Sequence, residues 1–229
     1  MGRQSRPEKH ILLRVIHSPG EMAACIHEER AAAGPGPLPE LTVVASSSAL
    51  AHQLRASCGG LSGVAFLSPL NLASLVLLAD GEYAGEAADP QLGSLVEAII
   101  SSPLLEGRLC YFKLEQLRSG AGYAEALAAT IGELSRAALT PPDLREAADT
   151  ASATGSRLKD IAAVWEALES QASSHNCTTR SRVLNRATAL LSRNPCLFPL
   201  PGRTLAFVDE QTTNTHLRFL AAIPRLTAV

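Results

Sequence analysis

Three times before Tyr83 the chain repeats one pattern: a short apolar run rich in β-branched residues, a turn of small or helix-breaking residues, then a helix-compatible stretch. Residues 11–16 (ILLRVI) lead into His17-Ser18-Pro19-Gly20 and a helical stretch over 21–33, stopped by Gly34-Pro35-Gly36-Pro37. Residues 41–45 (LTVVA) lead into Ser46-Ser47-Ser48, which can cap a helix over 49–57 that breaks at Cys58-Gly59-Gly60. Residues 64–67 (VAFL) lead into Ser68-Pro69, a cap followed by a first-turn proline. Short buried strands alternating with helices dictate an α/β fold with a parallel sheet and right-handed crossovers. The ligand edge of such a sheet lies beyond the strand C-termini, near Ser18, Pro19 and Gly20, near Ser46, Ser47 and Ser48, and near Ser68.

From Tyr83 onward the period changes. Leu92, Leu95, Val96 and Ile99 stand at helical spacing, and residues 123–139 (YAEALAATIGELSRAAL) form an amphipathic helix. Thr140-Pro141-Pro142-Asp143 ends it and opens another, with Thr as cap, Pro in the first turn and Asp at the positive end. Two more helices are expected over 156–173 and 179–192. Strand grammar returns at 204–208 (TLAFV), which runs into Asp209-Glu210; a helix over 215–223 and a final strand over 225–229 follow. The expected organisation is therefore an α/β domain begun in 1–84, an inserted helical subdomain over 85–200, and the α/β domain continued in 201–229. Because the last strand stops at Val229, that domain is expected to be incomplete at its C-terminus.

Length and composition bound the class. At ~150 residues per domain, 229 residues amount to about one and a half domains. A hydrophobic fraction of 46% against 18% charged residues supports a core and excludes wholesale disorder. The longest apolar run, 72–79, falls far short of the ~20 residues of a membrane span. Arg3, Arg6 and Lys9 precede only the short 11–16 run, so no secretory signal is read and the expected location is cytoplasmic. A net charge of −2 does not advertise nucleic acid or anionic lipid. The five cysteines, Cys25, Cys58, Cys110, Cys177 and Cys196, include no C-x-x-C pair and read as core thiols rather than a zinc site or disulfide framework. Asn176-Cys177-Thr178 spells a glycosylation sequon without the secretory context that would use it.

Only three of the 20 basic residues are lysines, Lys9, Lys113 and Lys159, so lysine chemistry can be tested position by position. A phosphate-binding P-loop needs G-x-x-x-x-G-K-[ST]. The first strand-to-helix turn, Ser18-Pro19-Gly20, holds one glycine and no lysine, and no lysine in the chain follows a glycine. A PD-(D/E)XK nuclease needs an acid two residues before a lysine; Pro7, Tyr111 and Arg157 occupy those positions. The strand that ends in Asp209-Glu210 has the shape of a Walker B element, in which Asp holds Mg²⁺ and Glu orients water. The same residues also spell a strand followed by a polar turn with Asp209 as a cap. His17 beside Ser18 reads as a turn histidine, and His216 as a surface residue. Arg180, Arg182, Arg186 and Arg193 line a helix, with Arg136 and Arg145 as possible neighbours; such a stripe can contact a nucleic-acid backbone or simply face solvent, and no aromatic platform accompanies it. Trp165 shares an apolar helical stripe with Ile161, Val164 and Leu168 and is expected in the core.

Together these segments resemble a known family. Residues 41–55 (LTVVASSSALAHQLR) are similar to the strand, small-residue turn and Ala-x-x-L-R helix near the start of superfamily I helicases, most closely the B subunits of AddAB/RexAB helicase-nucleases. Residues 64–72 resemble the next strand and helix, and 123–144 that family's helical insertion. Residues 207–214 (FVDEQTTN) resemble its Asp-Glu motif, so Asp209 and Glu210 stand as a degenerate Walker B pair and Ser18, Pro19 and Gly20 as a degenerate P-loop. The resemblance implies a RecA-like, P-loop NTPase-like sheet. It implies the N-terminal part of a DNA double-strand break repair subunit whose nuclease and iron–sulfur residues belong to a later region.

The expected function is then an inactivated helicase-like scaffold, binding DNA without sequence preference and pairing with a helicase subunit. Mg-ATP is not expected as a cofactor, nor catalysis by this chain alone. Ser46, Ser47, Ser48, Arg180, Arg182 and Arg186 are the candidate DNA contacts. Two alternatives stand beside it: a nucleotide- or phosphate-binding α/β module using helix N-termini, and a protein-interaction adaptor built on the helical subdomain.

Overall fold

A computed structural model describes residues 16, 18–33, 41–82, 86–87, 92–120, 122–151, 154–174, 177–224 and 226–228. The chain is α/β, mostly helical, with a small open parallel sheet, and divides into two compact units. Unit 1 takes Met1–Glu82, Arg186–Thr212 and His216–Val229; unit 2 takes Tyr83–Asn185 and Thr213–Thr215. The strand and turn expected over 11–15 and at His17 lie outside the described residues.

In unit 1, β1 (Leu41–Val44) and β2 (Val64–Leu67) come from the N-terminal repeats, and β5 (Arg203–Ala206) and β6 (Leu226–Ala228) from the C-terminal segment. They pair in parallel in the order β2-β1-β5-β6, with Val43 opposite Phe66 and Leu205. Every residue of β1 is buried, because a parallel sheet is covered on both faces. Alternation sends Leu41, Val43, Ala45, Phe66, Leu205 and Phe207 to one face. There they pack with Ala23, Cys25 and Ile26 of α1 (Pro19–Ala33) and with Ala51, Leu54 and Cys58 of α2 (Ser48–Ser57) and its C-cap. The opposite set includes Thr42 and Thr204, register partners whose buried hydroxyls find no hydrogen-bond partner. The turn chemistry acts as the sequence dictates: Ser47 accepts from Leu50 N–H to cap α2, and Ser68 accepts from Asn71 N–H to cap α3 (Pro69–Ala79). Several boundaries differ from expectation by one to two residues. Strand β5 stops at Ala206, and although Phe207 N–H still reaches Val44 O at 2.9 Å, Val208 is 41% exposed. Helix α10 covers Asn214–Ala222.

Among its described residues, the regular structure of unit 2 is helical apart from the two-residue parallel pair β3 (Glu86–Ala87) and β4 (Cys177–Thr178). Its core joins Val96, Ile99 and Ile100 of α4 (Leu92–Ser101), Leu127 and Ile131 of α6 (Tyr123–Arg136), and Ile161, Val164, Trp165 and Leu168 of α8 (Gly155–Ser174). Trp165 is 3% exposed, the core position its stripe implies. Helix α5 (Leu114–Ser119) adds Leu117. Helix α7 (Pro141–Thr150) opens with a capping box between Thr140 and Asp143, as the Thr-Pro-Pro-Asp spelling requires. It packs closely on α8, where a Cβ on Gly155 would stand 2.4 Å from the Ala148 carbonyl oxygen. Helix α6 ends three residues before the expected Leu139. Leu139 N–H bonds to Leu134 O and Ala138 N–H to Ser135 O, a Schellman closure that puts Ala138 at φ 65°. Helix α9 spans Arg180–Arg193.

Among the described residues no helix is long and apolar enough to cross a membrane.

Candidate functional site

Among the described residues of unit 1, the strand order creates one place where loops diverge. From β1 the chain leaves through α2 toward β2 on one side; from β5 it leaves through α10 toward β6 on the other. The C-terminal ends of β1 and β5 therefore flank a topological switch point, where open α/β sheets bind ligands. Ser46 follows β1 there, and Asp209 and Glu210 follow β5.

The two loops are tied together by side chains. Ser46 Oγ donates to Asp209 Oδ2 at 2.5 Å. Asp209 Oδ1 accepts from Gln211 N–H at 3.0 Å and from Thr212 Oγ1 at 3.1 Å. Asp209 N–H donates in turn to Thr212 Oγ1, and Thr212 N–H to Asp209 O, each at 3.0 Å. Both carboxylate oxygens thus accept from the protein, so Asp209 fixes the loop after β5 against the end of β1. Glu210 is exposed beside it. His216, half-buried on α10, has its pKa pushed down by burial, partly opposed by the negative charge of Asp209.

The described residues of unit 1 contain no lysine. Several of its arginines are engaged: Arg30 donates to Ser62 O, Arg55 lies over the Phe66 ring, and Arg203 pairs with Glu29. Among the described residues no group of three His, Cys, Asp or Glu side chains is placed to hold a metal ion. Chemically, the switch point is an acidic edge organised by hydroxyls.

The other candidate residues are placed separately. Ser18 Oγ accepts from Glu21 N–H, and Pro19 and Gly20 form the first turn of α1, so this turn is a helix cap. Ser47 caps α2 and Ser48 is its first residue. Arg182 Nη1 donates to Glu169 O at 3.0 Å and Ser173 Oγ at 2.7 Å, clasping the C-terminal end of α8. Arg186 pairs with Glu82, and Arg180 is exposed. Of the candidate positions, the structure brings Ser46 and Asp209 into contact.

Sequence reasoning passed over one residue that the structure singles out. Asp160 on α8 is 1% exposed, and its carboxylate accepts from three consecutive backbone N–H groups. Cys110 N–H reaches both oxygens at 2.9 and 3.1 Å, Tyr111 N–H reaches one at 2.7 Å and Phe112 N–H at 2.8 Å. The available signal was an acid set within the apolar stripe of Ile161, Val164, Trp165 and Leu168.

The chain matches no protein-family model and no curated protein.

Proposed function

We propose that the chain is a helicase-like scaffold that binds DNA and a partner helicase subunit without hydrolysing ATP, similar to the N-terminal part of an AddAB/RexAB-type B subunit. The finer fold this implies is a RecA-like sheet. One observation carries the reading: β5 delivers Asp209 and Glu210 to the β1/β5 switch point, where a Walker B pair acts, while Asp209 is bonded to Ser46 and Thr212. The turn that would cradle phosphates, Ser18-Pro19-Gly20, is spent on capping α1 and offers no lysine. An acidic edge without a phosphate-binding lysine keeps the architecture of a nucleotide site and loses its hydrolytic function.

The test pairs two assays on the whole chain. Steady-state ATP hydrolysis with Mg²⁺ and DNA is expected to stay at the no-protein rate. Fluorescence anisotropy with unrelated DNA sequences is expected to give similar affinities that fall linearly with log salt. Turnover abolished by Asp209→Ala overturns the reading, as does the absence of DNA binding at low salt.

A further inference from the structure

We draw no further inference here: the strongest candidate, the uncharged outer edge of strand β2 (Val64–Leu67) in the unit 1 sheet, would need a partner strand, and nothing in the structure shows what covers it.

Discussion

The Asp160 clamp makes a sharp energetic prediction. Replacing Asp160 by Asn conserves shape but removes the charge and points an NH₂ group into a pocket already lined by three N–H donors. A hydrogen bond to a charged acceptor is worth about 1.5–3 kcal/mol. Full loss of three would exceed that severalfold, but Cys110 and Tyr111 lie at the surface, where their amides recover bonds to water. The Asn carbonyl also keeps part of one interaction. A net cost of about 3 kcal/mol follows. At a urea m-value of about 2 kcal/mol/M, the midpoint should fall by about 1.5 M. Trp165 is the chain's single tryptophan and sits five residues beyond Asp160 in the same core, so its fluorescence reports unit 2 directly. Asp160→Ala should cost a similar amount, losing every acceptor without adding a donor. The opposing argument is that burying a carboxylate carries its own desolvation cost, which can cancel its bonds. An Asp160→Asn midpoint within about 0.2 M of wild type would decide for that view and refute the clamp.

Two further outcomes are expected in unit 1. Thr42 and Thr204 are register partners whose buried hydroxyls each find no hydrogen-bond partner, so Thr42→Val and Thr204→Val should each stabilise by about 1 kcal/mol in urea melts followed by far-UV circular dichroism; destabilisation by either would show that its hydroxyl is satisfied after all. His216 has a folded-state pKa below its ordinary 6.5, so on acidification the unfolded chain takes up the proton first. Its contribution is therefore complete above pH 6.5 and is lost as the pH falls below it. His216→Gln should flatten that part of the stability profile, and an unchanged slope would mean that another group sets it.

Local chemistry was the legible part of the fold. Ser47, Ser68 and the Thr140–Asp143 box each announce a helix start because a cap is made by residues three apart in sequence. The ends were less legible for identifiable reasons. Ala138 closes α6 in a left-handed conformation that sequence reasoning assigns to glycine, so an alanine there reads as continued helix. The apolar run continues through Phe207 and Val208, but strand pairing ends at Ala206: hydrophobicity signals burial, whereas the ladder depends on the neighbouring strand. The pair β3–β4 is two residues long, too short for any period to register.

The site divides along the same line. Ser46 and Asp209 were each visible as the residue after a strand, yet their bond joins positions 163 apart and exists only because β1 and β5 are neighbours. Strand order is a global property, and no spacing rule contains it. Arg182 shows the converse: helical periodicity placed it on a cationic stripe, while its length lets it reach back 13 residues to the carbonyl of Glu169. Asp160 was visible as an anomaly, one acid in an apolar stripe. A buried carboxylate must find donors, and had these been arginine or histidine their spacing could have been sought. They are the amides of Cys110, Tyr111 and Phe112, a group that every residue but proline carries, so the sequence poses the question of the partner without marking the answer.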